Sequence, residues 1–139
     1  DKACWRVEAG KWLKWQIAQA SDNMKQLFPA MQTDIILENR AAPYCLIIDT
    51  KFNAVLSNGR HGKESLRSHY IYQIYAYLRS QEGNGALADN AAGLLLHPAT
   101  GYNVDETAVI QGHKIRFATV DLSASAREIR QRLLQVIAE

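Results

Sequence analysis

A nine-residue segment, YCLIIDTKF at positions 44–52, constrains the fold of this chain more than any other part. Its apolar run is too short for a typical helix and is typical of a strand buried on both faces. The segment nevertheless carries two charges, Asp49 and Lys51, which share one face of a strand because side chains alternate. Buried charges are costly unless they are paired or bind a metal. The strand end is therefore either a structural ion pair or a functional site.

A second acidic residue, Asp34, strengthens the functional interpretation. Residues 34–37 (DIIL) predict a strand, and residues 38–43 predict a short connection, so the two strands form an antiparallel hairpin. Opposite residues in such a hairpin have a constant index sum, here about 80 to 84, which places Asp34 opposite a residue between about 46 and 50. Two adjacent carboxylates repel each other unless a cation joins them, and Mg²⁺ favours such ligands. With Lys51 beside them, the pattern predicts metal-assisted phosphodiester hydrolysis.

The remaining hydrophobic patterns predict an α/β fold with a mixed central sheet flanked by helices. Period-two alternation predicts strands on both sides of Gly10, and loops are expected at 22–29, 53–63 and 82–90. Helical spacing predicts a helix over 66–78, and AGLLL at 92–96 predicts another buried strand. A hairpin is expected over 107–110 and 114–122, around Gln111 and Gly112. Ser125 and Glu128 form a capping-box pattern before a final helix.

Length and composition favour one soluble domain. The chain has 139 residues, 47% of them hydrophobic, and its apolar runs are too short to cross a membrane. Cys4 and Cys45 form no CxxC pair and are expected to be free thiols, which indicates a reducing, cytoplasmic location. The histidines show no zinc-site spacing, and we expect most of them at the surface or in loops.

The net charge of +2 hides an uneven distribution. Positions 51–79 contain five basic residues and only one acid, whereas positions 80–106 contain acids and no lysine or arginine. Arg60, Lys63 and Arg67 are therefore candidates for contacts with the phosphate backbone of DNA. The alternative is an ordinary solvated surface.

The ordered set of residues resembles a known nuclease superfamily. Asp34 followed by Asp49-Thr50-Lys51 matches the PD-(D/E)XK pattern, and Gln73 with Tyr77 matches the QxxxY element of several of its branches. The wider text FPAMQTDIIL, LIIDTKF, SHYIYQIYAYL, AGLLLHP and GHKIRFATVDL resembles the carboxy-terminal nuclease domain of McrC, a subunit of the McrBC modification-dependent restriction system. This resemblance covers about residues 27–137. The pattern departs from the superfamily in two respects, a proline displaced to position 29 and no helical glutamate upstream.

The resemblance implies a restriction-endonuclease-like fold and a role for each site residue. Asp34 and Asp49 would hold Mg²⁺, with Mn²⁺ as a substitute, helped by the Thr50 backbone carbonyl. Lys51 would orient water and stabilise charge in the transition state. Gln73 would position Lys51 or the phosphate, and Tyr77 would support Gln73, although a tyrosine on an apolar helix face is more often a core residue.

The resemblance also implies partners. We expect residues 1–139 to be a single nuclease domain from a longer subunit whose amino-terminal region is missing from this chain. It would cleave double-stranded DNA containing 5-methylcytosine when assembled with an McrB-type AAA+ GTPase, and nuclease domains could pair for double-strand cleavage. Two alternatives remain open at this point, a repair exonuclease or resolvase on the same fold and a non-catalytic docking module.

Overall fold

A computed structural model describes residues 4–53, 56–58 and 64–138. The strands in this part of the chain are β1 (Trp5–Ala9), β2 (Trp12–Leu13), β3 (Met31–Gln32), β4 (Ile35–Asn39), β5 (Tyr44–Thr50), β6 (Leu56–Asn58), β7 (Glu64–Leu66), β8 (Ala92–Pro98), β9 (Asp105–Ile110) and β10 (His113–Val120). The helices are α1 (Met24–Leu27), α2 (Ser68–Ser80), α3 (Ala86–Asp89) and α4 (Ala126–Ile137). None of the helices within these ranges has the length and apolar character needed to cross a bilayer.

A mixed sheet forms the centre of the fold. Within the described ranges it has six strands in the order β1-β4-β5-β8-β10-β9. Strand β5 pairs antiparallel with β4 and parallel with β8, and β8 pairs parallel with β10. The predicted α/β class with a mixed sheet flanked by helices is thus confirmed, and the architecture is compatible with a restriction-endonuclease-like fold.

Each face of the sheet buries its own apolar cluster, because side chains alternate along β5 and β8. Cys45 and Ile47 point towards α2, while Leu46 and Ile48 belong to the cluster that includes Val136 of α4. Five consecutive residues of β5 are buried, as expected for a strand covered on both sides. Asp49 has the same parity as Cys45 and Ile47, so the strand presents it on the α2 side.

Local sequence signals account for several element boundaries. The Ser125 hydroxyl accepts from the Glu128 N–H while the Glu128 carboxylate accepts from the Ser125 N–H, which confirms the predicted capping box of α4. The predicted hairpin around Gln111 and Gly112 is also confirmed. Both residues have positive φ, 48° and 87°, as a type I′ turn requires.

Several expectations from the sequence are wrong. The segment 53–63 was expected to be a loop, but it contributes β6, which pairs with β7 through a register that sets Leu56 opposite Leu66. Short helices occupy part of the loops expected at 22–29 and 82–90. The second strand after Gly10 ends at Leu13, so the alternation that continues to residue 17 does not form a longer strand. In the first two cases backbone hydrogen bonds form without a strong apolar pattern, and in the third an alternating pattern forms no strand.

Candidate active site

Two strands bring the predicted acidic residues to the same edge of the sheet. In the β4–β5 pair, Ile35 lies opposite Ile48, an index sum of 83 that falls inside the predicted range. One further step along the same register sets Asp34 opposite Asp49. The hairpin therefore places these two carboxylates across from each other, just beyond the last paired residues.

The carboxylate of Asp34 is oriented by Thr50. Its Oδ2 accepts hydrogen bonds from the Thr50 backbone N–H at 2.6 Å and from the Thr50 hydroxyl at 2.8 Å. Asp34 is exposed, in contrast to Asp49. The resemblance implies a role for the Thr50 carbonyl oxygen, whereas the contacts to Asp34 involve the Thr50 N–H and hydroxyl.

Asp49 and Lys51 form an ion pair at the end of β5. Asp49 Oδ2 lies 2.8 Å from Lys51 Nζ, and Asp49 is only 2% exposed. Burial raises the pKa of Asp49, the neighbouring ammonium of Lys51 opposes that rise, and the like charge of Asp34 adds to it. The structure thus holds a buried carboxylate at an energetic cost that a bound cation would reduce.

A chain of hydrogen bonds connects Lys51 to helix α2. Lys51 Nζ donates to Gln73 Oε1 at 2.9 Å, Gln73 Nε2 donates to the Tyr77 hydroxyl at 2.8 Å, and that hydroxyl donates to the Gln32 carbonyl at 2.9 Å. An ammonium has no acceptor atom and a carbonyl has no donor, so each link has one possible direction. The Gln73 amide can therefore satisfy both neighbours in one orientation only.

Tyr77 serves both the core and the site. It is 5% exposed and belongs to the apolar cluster beneath α2, as expected for a tyrosine on a buried helix face. Its hydroxyl nevertheless bonds to the side chain that holds Lys51. Burial raises the pKa of Tyr77, so the phenol stays neutral and can donate its proton.

Tyr70 lies beside Lys51 and is linked in turn to Asn53 and His97, three residues that the sequence did not single out as site residues. The Lys51 ammonium lies 5.0 Å from the centre of the Tyr70 ring, and the Tyr70 hydroxyl accepts a short hydrogen bond from the Asn53 amide. The Asn53 carbonyl accepts from His97 Nδ1 at 2.8 Å. Burial lowers the pKa of His97, which favours the neutral imidazole. Tyr70 precedes Gln73 by three residues, and this helical spacing could have revealed it.

The expectation that most histidines lie at the surface is wrong for two of them. His97 is 2% exposed and His113 is 1% exposed. His113 bonds to the Ala91 carbonyl at 2.7 Å and to Glu82 at 2.6 Å. These partners are distant in sequence, so the pattern of residues around His113 could not reveal its burial.

The candidate DNA-binding residues are only partly described. Arg60 and Lys63 lie outside the described residues. Arg67 is half-buried and directly precedes α2, whose first turn carries Tyr70. The structure thus places Arg67 three residues before Tyr70, at the amino-terminal end of α2.

The donor set fits a magnesium ion better than a transition metal. Within residues 4–53, 56–58 and 64–138, no three His, Cys, Asp or Glu side chains cluster closely enough to hold a metal alone. Mg²⁺ does not need such a cluster, because one or two carboxylates with waters and substrate phosphate oxygens are its usual ligands. The opposed carboxylates of Asp34 and Asp49 supply that minimum, and the repulsion between them favours a cation.

Comparison with known proteins finds a relative that matches most of this chain. Over 128 residues the chain is 33% identical to the Type IV methyl-directed restriction enzyme EcoKMcrBC of Escherichia coli (strain K12). The match covers 92% of this chain and 36% of the relative, so the chain spans about a third of that protein's length. No protein-family model matches the chain.

Proposed function

Because this chain is McrC-like and related to part of a methyl-directed restriction enzyme, we propose that it is a metal-dependent endonuclease domain that hydrolyses DNA phosphodiester bonds. The proposal depends on one observation, which is that side chains from the β4–β5 hairpin and from α2 meet at the end of β5. There Asp34 faces Asp49, and Lys51 is held between Asp49 and Gln73. A purely structural ion pair would need neither the opposed carboxylate nor the directed hydrogen bonds from α2.

The residues divide into a metal-binding part and a positioning part. Asp34 and Asp49, with the Thr50 carbonyl, would hold Mg²⁺ or Mn²⁺ as a substitute. The bound ion would supply Lewis-acid stabilisation of negative charge on phosphate oxygens. Thr50 orients the Asp34 carboxylate through the two hydrogen bonds to its Oδ2. Gln73 fixes the Lys51 ammonium, and Tyr77 fixes Gln73.

Lys51 would act on the reacting atoms. Its ammonium can donate hydrogen bonds to the attacking water and to a non-bridging phosphate oxygen. In the hydrolysis the water oxygen bonds to phosphorus, the bond from phosphorus to one sugar oxygen breaks, and a proton reaches that leaving oxygen. Charge grows on the phosphate during this step, so a fixed cation favours the transition state over the ground state.

The proposed partners are inferred from the similarity to the restriction enzyme and not from the geometry of the site. We propose that the chain acts in a complex with an McrB-type AAA+ GTPase and cleaves double-stranded DNA that carries 5-methylcytosine. Pairing of two nuclease domains would allow cleavage of both strands. Arg60, Lys63 and Arg67 remain candidates for backbone contacts, and reversing their charge should weaken DNA binding and flatten its dependence on salt.

A reconstituted cleavage assay tests the proposal. Methylated and unmethylated duplexes are incubated with the chain, with and without the GTPase subunit, GTP and Mg²⁺. Asp49→Ala and Lys51→Ala should abolish cleavage while circular dichroism shows an intact fold, and Lys25→Ala, which changes an exposed lysine on α1, should cleave normally. Cleavage by purified Asp49→Ala at the normal rate would refute the proposed site. Cleavage of unmethylated DNA without the GTPase subunit would favour a repair nuclease instead.

A further inference from the structure

We propose that Tyr70 is a positioning residue for Lys51, which extends the functional face of α2 by one turn. The effect on cleavage that this inference predicts rests on the proposed nuclease function, whereas the position of the Tyr70 ring beside Lys51 does not. Tyr70, Gln73 and Tyr77 are separated by three and four residues, so they follow one face of the helix. The QxxxY pattern accounts for the last two positions only.

The Lys51 ammonium is held from three directions. The carboxylate of Asp49 lies 2.8 Å away, the amide oxygen of Gln73 lies 2.9 Å away, and the ring centre of Tyr70 lies 5.0 Å away. An aromatic face attracts a cation within about 6 Å of its centre. The ring also occupies space that the flexible lysine side chain would otherwise sample. Tyr70 therefore limits the positions of Nζ without forming a hydrogen bond that would compete with substrate.

The ring of Tyr70 is itself fixed by the segment that follows Lys51. Its hydroxyl accepts from the Asn53 side chain, and the Asn53 carbonyl accepts from His97 Nδ1 at 2.8 Å. The His97 ring packs against Tyr70 with ring centres 5.6 Å apart. His97 is 2% exposed and follows Leu96, whose carbonyl accepts from the Lys51 backbone N–H at 2.9 Å. Strand β8 thus supports both the backbone of Lys51 and the ring beside its ammonium.

The position of the Lys51 ammonium matters because a precisely placed cation is the proposed source of transition-state stabilisation. Loss of the ring should leave the ground-state affinity for DNA largely unchanged and let Nζ move between several positions. From the usual strength of cation–π contacts, the expected loss in kcat is about three- to thirty-fold with little change in KM. A merely structural role for Tyr70 would instead lower stability and leave kcat of the folded fraction unchanged.

Proton NMR of the chain tests the geometry without any cleavage. A ring face shields nearby protons, so the Lys51 ε-methylene protons should resonate upfield of those of exposed Lys25. Tyr70→Phe keeps the ring and should keep this upfield shift. Tyr70→Leu should abolish it, whereas Tyr72→Leu, which changes a tyrosine of α2 that is 69% exposed, should leave it unchanged.

Kinetic measurements in the reconstituted complex test the consequence. Tyr70→Phe should retain kcat within about three-fold, and Tyr70→Leu should lower kcat but not KM. Equal chemical shifts of the Lys51 and Lys25 ε-methylene protons in the unmodified chain would overturn the inference. This measurement does not require Tyr70→Leu to fold. An unchanged kcat in folded Tyr70→Leu would also overturn it. If the unmodified complex cleaves no DNA, the proposed function fails, while the NMR result still decides whether Tyr70 positions Lys51.

Discussion

Substituting Gly93 by alanine should displace helix α2 and thereby lower the activity of the site, although Gly93 contacts none of the site residues. Gly93 lies on β8 directly beneath α2, and an added Cβ would sit 2.7 Å from Ile74 Cγ1 and 3.3 Å from Leu78 Cδ1. Both neighbours are fully buried, at 0% exposure. Ile74 is β-branched and has essentially one favoured rotamer in a helix, so its γ carbon cannot turn away easily. The helix itself must move.

The size of the effect follows from these distances. Restoring an ordinary contact of 3.4 Å requires a shift of about 0.7 Å. Gln73 precedes Ile74 on the same helix, so a shift of that size would lengthen its 2.9 Å bond to Lys51 beyond the usual hydrogen-bond range of about 3.2 Å. Overpacking typically lowers the free energy of unfolding by about 1–3 kcal/mol. Replacing glycine by alanine also reduces the conformational entropy of the unfolded chain, which raises that free energy by about 0.4–1 kcal/mol. The expected net loss in the free energy of unfolding is therefore about 1–2 kcal/mol.

Urea denaturation and the reconstituted cleavage assay measure the two consequences. Gly93→Ala should lower the free energy of unfolding by this amount and reduce kcat about ten- to a hundred-fold, as expected for a misplaced catalytic group. Ile74→Ala removes the carbon that clashes, so the double variant should lose less stability than the sum of the single variants. Gly93→Ala with unchanged stability and unchanged kcat would refute the claim that this close packing positions α2.

Three further predictions concern residues away from the candidate site. Hydrogen bonding to Arg116 holds the pKa of Asp105 below its usual range, so its stabilisation is present at neutral pH and is lost as the pH falls below about 4. Asp105→Asn should therefore be less stable than the unmodified chain in urea at pH 7, with the difference shrinking at pH 3; an equal difference at both pH values would contradict this. Ser125→Ala removes the cap that Glu128 shares and should cost about 1 kcal/mol in thermal unfolding without changing cleavage, since α4 packs on the face opposite α2. Burial raises the pKa of Cys45 to about 11, so mass spectrometry should find it unalkylated by iodoacetamide until the chain unfolds, and rapid labelling in the folded state would contradict its burial.

The central hairpin and its acidic residues could be predicted because their signals are local. An apolar run interrupted by charges, and a short connection between two strands, together determine which residues lie opposite each other. Counting along the chain predicts an index sum of about 80 to 84, and the observed register, which sets Ile35 opposite Ile48, lies within that range. The fold class could be predicted for the same reason, since a buried strand is a short apolar run and an amphipathic helix has its own periodicity.

The supporting contacts could not be predicted because they join groups that are far apart in sequence. The carbonyl that fixes Tyr77 belongs to Gln32, 45 residues earlier, and every residue type offers the same carbonyl. His97 reaches Asn53 across 44 residues. Tyr70 is the exception, since its position relative to Gln73 was visible, although spacing alone does not separate a site residue from a core tyrosine.

The pairing of β6 with β7 escaped prediction for a different reason. Strand pairing is stabilised by backbone hydrogen bonds that any sequence can form, and the segment 53–63 lacks the alternation that identifies a half-buried strand. Its turn-forming residues favoured a loop. A sequence pattern predicts strands through their buried faces, and this segment has no such pattern.

Binding of a divalent cation between Asp34 and Asp49 is the central claim, and paramagnetic NMR measures it most directly. Titration of the ¹⁵N-labelled chain with Mn²⁺ should first broaden the amide resonances of residues 34 and 49–51, and excess Mg²⁺ should restore them. Asp49→Asn should remove this selective broadening while the remaining spectrum stays folded. Broadening centred elsewhere, or the same selective broadening in Asp49→Asn, would contradict the assignment of a metal-dependent site to these two carboxylates.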